Sequence, residues 1–147
     1  NKTLLQATGS QSRENNYNQL HVRCNITTKW TIEAEGKLGN DVSGSQFFST
    51  SNFNIAYNEI QPKLTFQPGT NFRTAVDYKY TEKKNAASLG GGLCTQQNYG
   101  TEIKYNVLKK GSLITTFNYV KIDFNGEANT PLGFEMLQGL NPSTPYT

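Results

Sequence analysis

The chain has 147 residues, a length that suits one domain with a sizeable core. Its hydrophobic content of 35% is low for a globular protein, whereas 12% of its residues are aromatic. The net charge of +3 comes from 14 basic and 11 acidic residues that are spread along the chain. Nucleic-acid binding needs a concentrated basic patch, so nucleic acid is not a predicted partner. A run of about 20 apolar residues, as in a transmembrane helix, does not occur.

Strand patterns recur from one end of the sequence to the other, and helical apolar spacing is not sustained in any window. One strand, Asn52–Phe66, changes its apolar phase, which predicts a bulge near Asn58–Ile60. Pro62 within it predicts a bulge or a local gap in pairing. The predicted strands in chain order are Lys2–Ala7, Tyr17–Ile26, Trp30–Gly39, Asn52–Phe66, Phe72–Thr81, Tyr99–Val107, Ser112–Phe124 and Leu132–Leu140.

The segment "WTIEAEGKLG", residues 30–39, has the clearest alternation in the chain. Trp30, Ile32 and Leu38 share one phase with small residues, whereas glutamates and a lysine occupy the other phase. Such a segment is typical of a strand with one apolar face and one charged face. The pattern leaves open whether the apolar face touches a packed core or the hydrocarbon of a membrane.

The lengths of the connections favour the membrane. "TTK", "QPGT", "LKKG" and "NPST" are short, and they alternate with longer connections around 8–16, 40–51, 82–98 and 125–131. A meander with short turns at one end and longer loops at the other is typical of an outer-membrane barrel. Strands of about ten residues span about 33 Å, or about 25 Å of height when tilted, which matches the apolar band of a barrel wall. We therefore predict an all-β antiparallel up-and-down meander of about seven or eight strands that forms part of a transmembrane β-barrel.

This prediction assigns the two phases of the strands to two environments. The apolar phase faces lipid, and the polar phase, which carries both signs of charge, faces a polar lumen. The charged residues predicted to face the lumen are Glu33, Glu35, Lys37, Arg73, Asp77, Lys79, Glu102 and Lys104. The aromatic residues predicted to lie at the membrane interfaces are Trp30, Phe53, Phe66, Phe72, Tyr80, Tyr99 and Phe124.

Residue patterns that carry chemistry are weak in this sequence. The single histidine, His21, lies in a polar phase and is interpreted as a solvated side chain, which argues against a triad or a multi-histidine metal site. Glu33 and Glu35 are about 6.6–7 Å apart along a strand, a spacing that glycosidase carboxylates can have, but Lys37 beside them favours a charge-balanced lumen. "LGGGLC" lacks the lysine of a phosphate-binding loop and is interpreted as an outer loop. We predict no catalytic, cofactor-binding or metal-binding residues, and no enzyme activity.

Residues 100–142, "GTEIKYNVLKKGSLITTFNYVKIDFNGEANTPLGFEMLQGLNP", resemble the C-terminal β-strand region of large uncharacterised outer-membrane and surface proteins of Bacteroidota. In those proteins a segment like "EIKYNV", a short turn, a strand with "IDFNGE" and a segment like "FEMLQGL" follow in this order. The resemblance covers about the last third of the chain and carries no known chemistry. It implies a location in the bacterial outer membrane, at the cell surface.

The resemblance has two departures. The turn reads "NPSTP" in place of a Pro-Gly form, and the chain reaches Tyr146 and Thr147 without the further strands and terminal aromatic residue of those proteins. We therefore expect residues 1–147 to be a single β domain that is a fragment of a larger outer-membrane barrel. The expected partners are the lipid bilayer and other chains of an outer-membrane complex.

The predicted function is that of a non-catalytic membrane anchor or of the wall of a transport or translocation pore. One alternative is a soluble or surface-exposed β-sandwich domain that binds glycan or protein, with its apolar faces packed against a second sheet. Another alternative is an enzyme on a jelly-roll or barrel scaffold. What covers the apolar phase distinguishes the β-sandwich alternative from the barrel. Convergence of Glu33 and Glu35 with other acidic residues in a pocket would support the enzyme alternative.

Overall fold

The computed structural model describes residues 2–6, 9–46, 52–107, 111–127 and 129–133, and these residues form one antiparallel sheet. Its seven strands follow one another in the sheet in chain order. One short 3₁₀ helix, Ala87–Leu89, lies between the fifth and sixth strands. The strands are β1 Lys2–Gln6, β2 Gly9–Asn25, β3 Trp30–Ser45, β4 Phe53–Phe66, β5 Phe72–Asn85, β6 Leu93–Val107 and β7 Gly111–Asn125.

The strands form an up-and-down meander, because each one pairs antiparallel with the next. The predicted all-β antiparallel meander is therefore confirmed. In the described part of the chain β1 and β7 are not paired with each other, so the sheet is open there.

Several strands are longer than the sequence predicts, because polar segments that resemble loops in composition are paired strands. The register of β2 with β3 continues out to Gln11 opposite Ser45. An ion pair between Arg13 and Asp41 joins the two strands in this polar region. Cross-strand polar contacts of this kind stabilise pairing without apolar residues.

The two ends of the sheet differ less in connection length than predicted. Connections 26–29 and 67–71 lie at one end, called here the short-turn end, together with the end of β6 and the start of β7. Connection 86–92 lies at the other end, called the long-loop end, together with the end of β3 and the start of β4. The predicted loop around 8–16 is wrong, since most of it belongs to β2.

β4 differs from its prediction in one respect. Its pairing with β3 is continuous from Phe53 to Phe66, so the predicted bulge near Asn58–Ile60 is wrong. The pairing with β5 is interrupted at Gln61 and Pro62, which confirms a local gap there. The gap arises because proline has no backbone N–H to donate to the hydrogen-bond ladder between two strands.

A small apolar cluster lies at the long-loop end. Ile55, Cys94 and Leu132 are buried against one another, and Phe53, Ile122 and Phe124 pack around them. Leu132 belongs to a helical turn at 131–133, so the predicted strand Leu132–Leu140 is wrong in its first residues. Its remainder lies outside the described residues.

Candidate functional site

The sheet has two faces of opposite character. Residues that are directly paired in an antiparallel ladder point to the same side, so the register assigns every strand position to a face. The charged face contains all of the charged residues that the sequence predicts to face a lumen, together with Arg23, Glu59 and Lys63. The apolar face carries Leu20, Val22, Ile32, Leu38, Ile60, Leu64, Val76, Ile103 and Phe117.

Burial is inverted between these faces. On the apolar face Leu20 is 68% exposed and Leu38 is 62% exposed. On the charged face the side chains of Asp41 and Glu59 are only 16% and 19% exposed. A water-soluble antiparallel sheet normally does the reverse, with its apolar face covered and its polar face solvated. In the central strands, therefore, no described residue covers the apolar face, and some charged side chains of the other face are largely shielded, whereas β2 and most of β7 are exposed on both faces.

An uncharged band crosses the apolar face. On β5 it extends from Phe72 to Tyr80, and the corresponding positions of β2, β3, β4 and β6 also lack acidic and basic residues. Charged residues return on β5 at Glu82, towards the long-loop end. The band covers about 26 Å of strand, or about 20 Å of height if the strands tilt by about 40°.

Aromatic side chains mark the short-turn edge of this band. The ring of Phe66 lies 4.4 Å from that of Trp30 and 6.5 Å from that of Phe72, between centroids. A second row crosses the middle of the band, where Tyr99 lies 4.9 Å from Tyr78 and 6.0 Å from Tyr119. Among the predicted interfacial aromatics, those on the apolar face are Trp30, Phe66, Phe72, Tyr80 and Tyr99.

The other two predicted interfacial aromatics are corrected by the structure. Phe53 lies opposite Ser43, and Phe124 lies opposite Cys94, so both belong to the charged face. They pack against the apolar cluster around Leu132. The helical turn at 131–133, which contains Leu132, partly buries these two rings. This contact explains why aromatic residues occupy the charged phase at the long-loop end.

Paired charges hold the charged face together. Lys79 Nζ lies 2.9 Å from Glu59 Oε1, and the Thr81 hydroxyl donates to the same carboxylate at 3.4 Å. Arg23 Nε lies 3.4 Å from Glu33 Oε1. The Lys79–Glu59 pair is partly buried, where an isolated charge would be costly, whereas Arg23 is exposed.

Two tyrosines and a lysine form a packed group on the charged face. Lys37 Nζ lies 4.3 Å from the ring centre of Tyr17 and 5.6 Å from that of Tyr57, within cation–π range. Gly39 lies beneath these side chains: a Cβ there would come within 2.5 Å of the Asn16 carbonyl oxygen and 2.7 Å of Tyr57 Oη. This group depends on cross-strand register, and the alternation within each strand gives no signal for it.

A cavity of about 710 Å³ opens on the charged face at the short-turn end. Turns 26–29 and 67–71 rim it, and the cationic residues Arg23, Lys29 and Arg73 line it. Arg73 Nε is buried and has no hydrogen-bond partner among the described residues. The sequence identified Arg73 as a charged-face residue but gave no signal for the cavity, because separate turns combine to form it.

The structure gives no sign of a metal or redox centre in the part of the chain that it describes. The residues there form no group of three His, Cys, Asp or Glu side chains that could hold a metal ion. His21 is exposed on the charged face, opposite Glu35. Cys24 on β2 and Cys94 on β6 lie on opposite faces of the sheet and are separated by three strands, so they are not placed to form a disulfide. No described helix is long and apolar enough to cross a membrane.

Comparison with known proteins does not assign the chain to a group. No protein-family profile, no curated protein and no solved structure matches it. The geometry of the two faces is therefore the basis for a functional proposal.

Proposed function

We propose that the chain forms part of the wall of a bacterial outer-membrane β-barrel, where it acts as a membrane anchor or as the wall of a transport or translocation pore without catalysis. The apolar face contacts lipid, and the charged face contacts water in the lumen. One observation carries the proposal: the uncharged band on the apolar face is exposed, whereas the Lys79–Glu59 ion pair on the other face is partly buried.

The energetics of the two faces support this assignment. Exposed apolar surface costs about 25 cal/mol per Å² in water, and a sheet face bearing Leu20, Ile32, Leu64, Val76 and Phe117 exposes a large amount of it. Hydrocarbon removes this cost. Charged residues on the same face would then be strongly disfavoured at the bilayer centre, which accords with their restriction to the ends of the band.

Strand length also supports the proposal. β3 to β7 are 14 to 16 residues long, whereas strands in soluble domains are commonly 5 or 6 residues long. Tilted strands of this length cross the apolar band and continue beyond it.

The open edges of the sheet imply partners in this setting. In a bilayer each backbone N–H and C=O needs a hydrogen-bond partner, so a barrel wall cannot end in an unpaired strand. The outer edges of β1 and β7, and that of β2 beyond its pairing with β1, would have to pair with further strands, supplied by other parts of the protein or by other chains of a complex. This requirement distinguishes a barrel wall from an independent sheet.

The alternative is a surface-exposed β-sandwich domain that binds glycan or protein. A large exposed apolar patch also marks protein interfaces, and the row of Tyr78, Tyr99 and Tyr119 provides contact area with polar tips. In that case a second sheet or a partner protein would cover the apolar face.

The single tryptophan of the chain, Trp30, provides a direct test. The full chain is refolded into vesicles whose lipids carry bromine either close to the headgroup or deep in the acyl chain. Trp30 lies at the edge of the band, so we expect stronger fluorescence quenching by the shallow bromines than by the deep ones. Electrophoresis in SDS with and without boiling accompanies this measurement, since folded membrane barrels migrate differently after heating.

The matched control moves the tryptophan to the other face. In the double variant Trp30→Phe with Tyr57→Trp, the indole lies on the charged face and should not be quenched by either lipid. Equal quenching of both proteins would contradict the assignment of the faces. A chain that stays in solution without detergent, with Trp30 unquenched, would support the β-sandwich alternative instead.

A further inference from the structure

We infer that the cavity at the short-turn end of the charged face is a binding site for a small soluble oxyanion of the phosphate class. The inference goes beyond the proposed function and does not depend on it, because the cavity has the same lining whether the apolar face meets lipid or protein. The site is formed by residues of β2 to β5 and of the two turns at this end.

The lining of the cavity has the chemistry of an anion site. Arg23, Lys29 and Arg73 contribute positive charge, and Glu33 is the one acidic residue among the described lining residues. Arg23 Nε lies 3.4 Å from Glu33 Oε1, so these two charges offset each other and the excess positive charge belongs to Lys29 and Arg73. The remaining polar groups are the hydroxyls of Thr28, Thr31, Thr65 and Thr70 and the amide of Gln67. The volume of about 710 Å³ lies within the range of small-molecule sites.

Arg73 gives the strongest indication of a ligand. Its Nε is buried without a hydrogen-bond acceptor among the described residues, although buried polar atoms in folded proteins are nearly always partnered. The planar guanidinium group donates two parallel hydrogen bonds to phosphate or carboxylate oxygens with good geometry. An oxyanion in the cavity would provide the acceptor that Arg73 Nε lacks.

The cross-strand neighbour of Arg73 points to the same ligand. Lys104 lies directly opposite Arg73 in the register of β5 with β6, on the same face. Like charges in this position repel each other. Glu102, two residues from Lys104 along β6, lies diagonally opposite Arg73 on the same face. A bound anion next to Arg73 would offset that repulsion.

The long-loop half of the charged face shows that this arrangement is local. There, Lys79 is paired with Glu59, and Arg13 is paired with Asp41. A smaller cavity in that half is lined by both Asp41 and Glu59 as well as by Lys37 and Lys83. The excess of positive charge around a cavity is therefore a feature of the short-turn end, where an anion would bind.

Nuclear magnetic resonance of arginine side chains tests the site directly. The full chain, labelled with ¹⁵N-arginine and folded in detergent micelles, is titrated with inorganic phosphate. We expect a saturable shift of the Arg73 Nε–H signal. Calorimetric titration should show at least about tenfold weaker binding for Arg73→Gln, which corresponds to about 1.4 kcal/mol, and an intermediate loss for Arg73→Lys.

Lys83→Gln is the matched control, because it removes one positive charge from the same strand and face near the other end. Its affinity should stay within about twofold of that of the unchanged protein, which corresponds to about 0.4 kcal/mol. Equal weakening by Arg73→Gln and Lys83→Gln would overturn the site in favour of general electrostatic attraction. No shift of Arg73 up to about 10 mM phosphate, well above ordinary metabolite affinities, would also overturn it.

A second titration separates a soluble ligand from a lipid headgroup. Short-chain phosphatidylglycerol replaces inorganic phosphate, and tighter binding of the lipid would overturn the assignment to a soluble solute. The experiment also separates this inference from the proposed function. Phosphate binding by a chain that needs no detergent would support the site and contradict the barrel wall. Heat-modifiable migration without phosphate binding would support the barrel wall and contradict the site.

Discussion

The two faces of the sheet are made from the same strands, and β3 shows how differently they are built. Gly36, on the apolar face, has no atom within 4 Å of the position a Cβ would take. Gly39, on the charged face three residues later, is enclosed by Tyr57 and by the backbone of β2. Packing is thus dense on the face that carries the charges and open on the face that carries the apolar side chains. Around these two glycines, the side chains of the charged face are packed more closely than those of the apolar face.

The largest expected effect concerns the cluster at the long-loop end, the part of the charged face that contains a packed apolar core. Leu132 is fully buried there, so Leu132→Ala should lower the free energy of unfolding by about 2–5 kcal/mol. Leu38→Ala on the apolar face removes the same atoms from an exposed position and should cost less than about 1 kcal/mol. Urea titration of both variants, followed by Trp30 fluorescence, measures the difference. Equal losses would contradict the idea that only the charged face is packed.

The next largest effect is expected for a substitution that tests whether the apolar face contacts lipid or water. Leu64→Arg places a charge in the middle of the uncharged band and should destabilise the protein in vesicles by about 2–4 kcal/mol, because arginine is costly in hydrocarbon. Gln61→Arg, on the same strand but on the charged face, should change stability by less than about 1 kcal/mol. Urea titration in vesicles measures both values. If Leu64→Arg were as stable as Gln61→Arg, the lipid-facing assignment would fail.

Gly39→Ala should produce a smaller loss, about 1–3 kcal/mol, because the new methyl group would overlap the Asn16 carbonyl oxygen and the Tyr57 hydroxyl. Gly36→Ala is its natural control, since open space surrounds that position and alanine also reduces the freedom of the unfolded chain. We expect Gly36→Ala to be neutral or slightly stabilising in the same denaturation assay. A neutral Gly39→Ala would show that the tyrosine group is loosely packed.

The sequence predicts the parts of this structure that depend on alternation within a strand. Glu33, Glu35 and Lys37 share a phase, and the register places them on one face with charged residues of β5 and β6. The meander follows from the turn residues between successive strand patterns. These features are local, so a single strand and its turns contain the information.

The features that the sequence did not predict depend on segments far apart in the chain. The odd phase of Phe53 and Ile55 predicts a bulge further along β4, whereas in the structure both residues pack in the cluster with Leu132, which follows much later in the chain. The polar residues before Tyr17 resemble a loop because their pairing with β3 is invisible in composition. Arg73 becomes a candidate anion-binding residue only because the two turns 26–29 and 67–71 come together with it around one cavity.

The smallest expected effect compares ion pairs on the two faces. Glu59 is mostly buried and bonded to Lys79 and Thr81, so Glu59→Gln should cost about 1 kcal/mol and depend little on salt. Asp123 pairs with Lys121 on β7, at the long-loop end of the apolar face. Their side chains are 58% and 52% exposed there, and water at the edge of the band screens the charges, so Asp123→Asn should not change stability measurably. Denaturation at low and high ionic strength measures both. A larger effect at Asp123 than at Glu59 would mean that the exposed outer strand, and not the charged face, is the better-shielded environment.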